Sequence, residues 1–310
     1  MRLVTLAAVL AVTGCGGGNM AGGGGGGGGT DGGGSAIDAG GGSGSDGWQT
    51  LIERDWSLTA GQEKYECRRI QVMQDMWVTG FRAISPQGTH HQVLTITDNG
   101  AGQPQGDYDC SVGALDAKML YAAGIGTADL DFPAGVATHI AAGSYINVNL
   151  HLFDTLENDI TGTSGVAVQT IDASQVQNAA AMEFAGTFNI DIPSDGQPHT
   201  ASGGCTVPED WTVFTLWPHM HQTGTHQTFT VDGTALLDTD YSFLEQRNYP
   251  MAPTVLHAGQ QVNVTCTYVN NSGSTKTFGE SSNDEMCFTG MYKWPDDGDV
   301  TGCTTGGGSF

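Results

Sequence analysis

The residues of this chain whose types and spacing could do chemistry are His90, His91, His151, His219, His221 and Met286. Imidazole is a borderline metal ligand and a thioether a soft one, and a thioether favours the cuprous state, so the group suits copper better than zinc. The residues fall into two sets. In His219-Met220-His221, strand geometry would put both rings on one face, about 6.5–7 Å apart along the chain, where they can converge on one ion. Pro218 argues for a strand edge or a bulge there. Taken alone, the same pair can simply face solvent. His90 and His91 are neighbours, which point to opposite faces of an ideal strand. They could share an ion only at a bulge or at a strand start, and Gly88-Thr89 makes a start plausible. His151 is the histidine on the polar side of an apolar strand, and a satisfied, half-buried histidine is its plain alternative. A methionine is more often core filling than a ligand, and Asp284-Glu285 before Met286 read equally well as a solvated turn. Two unlike copper sites in one chain would permit redox chemistry with oxygen.

Short strands must position these residues. Alternation is common and helical periodicity scarce. In 145–153, Ile146, Val148, Leu150 and Leu152 share one face, and Asn147, Asn149 and His151 the other. Segments 92–97, 212–217, 227–231 and 261–269 alternate similarly, and Asp232-Gly233 and Asn271-Ser272-Gly273 signal turns. The pattern predicts an all-β chain of antiparallel β-sandwiches. Helix candidates are 173–184 and, more weakly, 116–123. The body divides most naturally at the first of these, giving an N-terminal sandwich over 48–178 and a C-terminal one over 179–310, each of ordinary domain size.

What precedes the body is of another kind. Arg2, a short apolar run over 3–12 and Gly14-Cys15 describe a secretory signal over 1–15, too short to span a bilayer as a mature helix. Its ending resembles a lipoprotein signal with Cys15 as the lipidation site. That predicts an exported protein, held at the outer membrane through the lipid alone, periplasmic or at the cell surface. Residues 16–47 are nearly all Gly, Ser, Asp and Ala and read as a flexible tether. The formal net charge of −23, with only ten Lys and Arg, argues against nucleic acid as a partner, whose binding rests on neutralising phosphates. Without Cys15, six cysteines remain, an even number that in an exported chain implies disulfides; none lies in a Cys-X-X-Cys, and sequence alone does not choose their pairing.

Read in order, His90-His91, His151, His219-Met220-His221 and Asp284-Glu285-Met286-Cys287, with Thr265-Cys266-Thr267-Tyr268 before the last, resemble the copper type II, ascorbate-dependent monooxygenases. That family includes peptidylglycine α-hydroxylating and dopamine β-monooxygenases. The resemblance spans about residues 60–303. It implies two jelly-roll-like sandwiches facing each other across a wet cleft. It places one copper on His90, His91 and His151 for electron transfer, and a second on His219, His221 and Met286 for oxygen and catalysis. It also implies disulfides Cys67–Cys110, Cys205–Cys303 and Cys266–Cys287. The co-substrates would be O2 and ascorbate or a similar one-electron reductant, and the product a hydroxylated C–H bond.

Where the chain departs from the family bears on substrate. Peptide-amidating members carry an arginine two residues before the first His of His-X-His, and an asparagine and a tyrosine two and four residues after the Met. Here Trp217, Phe288 and Gly290 stand in those places. The groups that grip a peptide carboxylate are gone, which points to a neutral small organic substrate. Two other readings compete with the enzyme: a non-catalytic surface lipoprotein that captures copper, and an adhesive or carbohydrate-binding pair of sandwiches with no specific metal. His139, His199, His226 and His257 carry no assigned role, His226 being read as surface.

Overall fold

Turn residues separate stretches rich in β-branched and aromatic residues, and in the computed structural model those stretches are strands. The structure describes residues 47–306 except 101, 112, 115, 117, 155, 156, 280 and 299–301. The expected signal with Cys15, and the linker save Gly47, lie outside the described residues. The described residues form one compact unit, and its large sheets make two facing pairs.

In the first pair, one sheet runs Gln49–Leu58, Ile160–Ile171, Met76–Ile84, Val136–Ile140, Asn178–Ala179, and the other Gly106–Asp109, Glu63–Gln71, Tyr145–Phe153, Thr89–Thr97, Lys118–Gly124. Trp56, Val78, Phe81, Leu94, Tyr121 and Leu150 meet between them. The second pair sets Tyr249–Leu256, Trp211–His219, Cys287–Trp294, Ala181–Thr187, Cys303–Thr305 against Pro198–Thr206, Gln261–Val269, Gly224–Val231, Thr234–Asp240, closing over Trp211, Val213, Phe229 and Val264. Among the described strands, pairing is antiparallel except at Asn178–Ala179 and Cys303–Thr305, and an isolated bridge between Phe278 and Glu285 is parallel as well. The fold is therefore all-β, built as sandwiches.

Neither helix candidate forms, and no α-helix occurs among the described residues. Asp172 caps a single 3-10 turn, Ala173–Gln175; Val176 is already extended, and two strands take the rest of 173–184. Ala181–Thr187 is buried at every position, so its apolar residues serve both faces of an inner strand rather than one helical stripe. Residues 118–124 form a strand because they pair along Thr89–Thr97, with His91 opposite Gly124.

Alternation in Tyr145–Phe153 shows which face is which, although both faces are buried. Ile146, Val148, Leu150 and Leu152 enter the core. The polar face is covered by the chain around Cys110: the Asn147 amide donates to the Ala114 carbonyl (2.9 Å) and the Asn149 amide to the Ser111 carbonyl (3.0 Å). Disulfides join Cys67 to Cys110, Cys205 to Cys303 and Cys266 to Cys287.

Candidate metal centres

His151 and His91 are direct cross-strand partners, so their side chains share a face. The register slips between Thr89 and His91, which makes His90 the extra residue of a β-bulge. The bulge lets two adjacent histidines turn to one side. Gly88 prepares it with φ +101°, outside the range of most L-residues. As a result, ring nitrogens of His90, His91 and His151 lie within 4.8 Å of one another. The Nδ1 atoms do the converging: His90 to His91 is 3.1 Å and His151 to His91 is 3.3 Å.

The far side of His151 fixes its tautomer. Its Nε2–H donates to the Glu63 carboxylate at 2.6 Å, leaving the Nδ1 lone pair facing the cluster. Tyr65, opposite His151 in register, stacks on its ring at 4.4 Å. Burial, then the neighbouring His151, holds the His90 imidazole down at about 4. Burial also lowers His91 well below the ordinary value, and lowers His151 despite Glu63. Imidazoles that resist protons and turn their ring nitrogens toward one point suit a metal ion.

The second set is assembled differently. His219 ends its strand and His221 lies just beyond, so the pair straddles a strand end rather than occupying one. The neighbouring strand Tyr249–Leu256 pairs only as far as Leu216, so Pro218 sits where the sheet has a local edge on that side, with Thr289 opposite it on the other. The rings are 5.3 Å apart and nearly perpendicular. Their Nδ1–H groups are committed: His219 to Gln246 Oε1 (3.2 Å) and His221 to the Asp284 carbonyl (3.2 Å). Each therefore carries its lone pair on Nε2, the opposite choice from His151. Burial leads in lowering both, His219 to about 3 and His221 to about 4. Trp217 stacks on His219 at 4.9 Å.

Met286 lines one cavity of about 200 Å³ with His91, His219 and His221, and Trp217 and Phe288 join them. His91 of the first set and all three residues of the second thus face a shared space whose wall is mostly apolar. Trp217 and Phe288 share a face because the strands pair Trp217 with Gly290 and His219 with Phe288.

Glu285, for which the sequence left a solvated turn open, is wholly buried. Its carboxylate accepts from the backbone N–H of His221 (2.9 Å), Thr223 (2.7 Å) and Met286 (3.3 Å), and from the Thr223 hydroxyl (2.7 Å). One side chain thus ties the His221 loop to the Met286 segment. The Cys266–Cys287 bridge and the Tyr268 hydroxyl, which donates to the Met286 carbonyl at 2.8 Å, hold the same segment from behind. Sequence reasoning missed Glu63, Gln246 and Glu285 in these roles. Only Glu285 left a trace, as a carboxylate beside a methionine. The other two depend on register and on a distant turn. His226 lies on the surface between Asp238 and Asp240, which engage its two nitrogens from different sides.

Residues 178–308 match the family model described as copper type II ascorbate-dependent monooxygenase, C-terminal domain. No curated protein matches the chain. Among solved structures, the crystal structure of plant peptide RALF23 in complex with FER and LLG2 is 7% identical over 81% of this chain and 83% of that chain, at a TM-score of 0.20. That likeness is too remote to bear on fold or function.

Proposed function

From residues 178–308, which match the C-terminal domain model of the copper type II ascorbate-dependent monooxygenases, we infer that the chain is a copper- and ascorbate-dependent monooxygenase that hydroxylates a C–H bond of a neutral small organic molecule. The observation that carries this reading is a pair of unlike donor sets joined by one apolar cavity: three imidazoles converging through Nδ1, of which His91 lines the cavity, and two imidazoles with lone pairs on Nε2 that line it together with a thioether. Both sets fit copper, one all-nitrogen and one softened by sulfur. When bound, copper would supply the one-electron chemistry with O2 that the protein's own side chains lack.

The residues themselves bind and orient. Glu63, Gln246 and the Asp284 carbonyl hold three rings in fixed tautomers. Trp217 and Phe288 replace the polar grip on a carboxylate with apolar surface, so a neutral substrate is favoured over a charged peptide end. A protein that only captures copper needs no such cavity. In this reading 48–178 and 179–310 are the two copper sandwiches. The three disulfides support an oxidising compartment. Mass spectrometry of the mature N-terminus tests the anchor: an unlipidated start beyond Cys15 would remove it.

Copper titration with X-ray absorption of the reduced protein tests the centres. Two coppers per chain with one sulfur neighbour are expected. Met286→Ile should lose the sulfur signal and nearly all substrate-coupled O2 uptake, while the fold and the all-nitrogen centre persist. Full coupled turnover in that variant would overturn the assignment.

A further inference from the structure

The cavity between the histidine sets has a neighbour. An outer groove of about 910 Å³ runs past His90 and His151, and Phe243 belongs to the wall of both spaces. The Phe243 ring lies 4.7 Å from that of His90 and 6.3 Å from that of His221, so one side chain stands between the two donor sets. The groove's rim holds three exposed apolar side chains, Ile125, Phe153 and Leu244. Among the described residues lining it, Glu63 is the one carrying a full charge.

The backbone carrying Phe243 is unusual for its sequence. Ser242–Glu245 is a tight turn, closed by Glu245 N–H donating to the Ser242 carbonyl at 3.0 Å. Turn tips favour Gly, Pro, Asn, Asp and Ser, each for a conformational reason, yet this tip is Phe243-Leu244. Phe243 turns in and is half-buried, while Leu244 is left 64% exposed. The turn is pinned on both flanks. The Tyr241 hydroxyl donates to the Met220 carbonyl (2.5 Å), and Tyr241 N–H to the Thr225 carbonyl (2.9 Å). On the other flank the Gln246 carbonyl accepts from the Thr127 hydroxyl, and the Gln246 amide nitrogen donates to the Phe243 carbonyl (3.5 Å). The Gln246 side chain also rests on Gly124, the strand partner of His91, where a Cβ would come within 3.1 Å of it.

We propose that Phe243 is a gate side chain, which closes the inner cavity from the outer groove and admits a neutral, largely apolar molecule from one to the other. The proposal takes the substrate role of the cavity from the function inferred above. With the backbone held at both flanks, the ring rather than the turn must move, and a rotamer change of one aromatic side chain is enough. The apolar rim gathers apolar ligands by burying their surface. An anion meets a carboxylate and no cationic partner there, so it gains nothing to offset its desolvation.

The test uses metal-free protein, so it stands apart from copper loading and turnover. Stopped-flow fluorescence would follow 2-naphthol, a neutral aromatic probe, with naphthalene-2-sulfonate as its anionic counterpart. The parental protein should bind 2-naphthol saturably and the sulfonate at least about tenfold more weakly. Phe243→Ala should raise the association and dissociation rates together, each about tenfold or more, with little change in Kd, and Phe243→Trp should slow both. Val255→Ala, at an exposed apolar residue that lines neither space, should leave the rates as they were. Phe243→Leu, a milder truncation, serves if the alanine variant fails to fold, with circular dichroism and melting confirming the fold. Unchanged rates in a folded variant would overturn the gate. So would a faster dissociation alone, which would make Phe243 a mere contact. Equal binding of both probes, or none of 2-naphthol, would overturn the neutral-ligand assignment.

Discussion

Glu285 shows how one residue organises a centre without facing the cavity. Burial pushes its carboxyl above the ordinary value, although four donors to its oxygens oppose the rise. Those four bonds join the His221 loop to the Met286 segment. Glu285→Ala leaves buried backbone N–H groups unpaired, each costing about 1–3 kcal/mol. The expected loss is about 3 kcal/mol or more of unfolding free energy. Glu285→Gln does not rescue it, because an amide NH2 would meet donors. Copper affinity should fall about 10–100-fold at the thioether centre and hold at the all-nitrogen one. Denaturant unfolding and copper titration check this; equal loss at both centres would show that Glu285 supports the fold at large rather than one site.

At the scale of elements, the first centre depends on a bulge, and the bulge on Gly88. A Cβ there would meet the Trp56 ring at 2.6 Å and the Ile160 side chain at 2.8 Å, at a φ that already favours glycine. The Gly88 carbonyl also accepts from Phe153 N–H at 2.8 Å, at the end of the His151 strand. Gly88→Ala should cost about 1–3 kcal/mol and release copper from the all-nitrogen centre, so that X-ray absorption sees one copper with a sulfur neighbour. Retention of both coppers at parental affinity would refute this dependence. The same element shows what a sequence reveals. The period-two pattern of 145–153 identified a strand and set His151 apart from its core face, because alternation is a local property. That His90 and His91 need a bulge or a strand start to cooperate was also legible, and the structure has the bulge just inside the strand start at Thr89. The partners were not: Glu63 meets His151 only through pairing between strands, and Gln246 reaches His219 from a turn that alternation does not describe. The apolar run after Ala173 looked helical because burial on both faces of an inner strand leaves no alternation to read.

At the scale of the molecule, both halves desolvate the donor sets, and each set acts on the other. His219 and His221 lower His91, His221 lowers His90, and His151 lowers His221, each after burial as the main cause. An unfolded histidine titrates near about 6.5, whereas His90 and His221 are held at about 4 and His219 at about 3. Between these values the unfolded chain binds more protons than the folded one, so metal-free stability must fall as pH drops from about 6.5 toward 4. Glu285, raised instead of lowered, works in the opposite direction, as does His226. Relief of repulsion within a chain of net charge −23 also opposes the fall. Copper affinity of the folded protein is free of these terms, because the metal competes with protons only at the folded imidazoles. At the His219–His221 centre it should therefore stay nearly flat from pH 7 to about 5 and collapse only near 4 and below, well under the about 6.5 of accessible histidines. Competition titrations with a chelator of known pH dependence measure this directly. A midpoint near the ordinary imidazole value would mean that water reaches the rings and that the two halves do not bury them together.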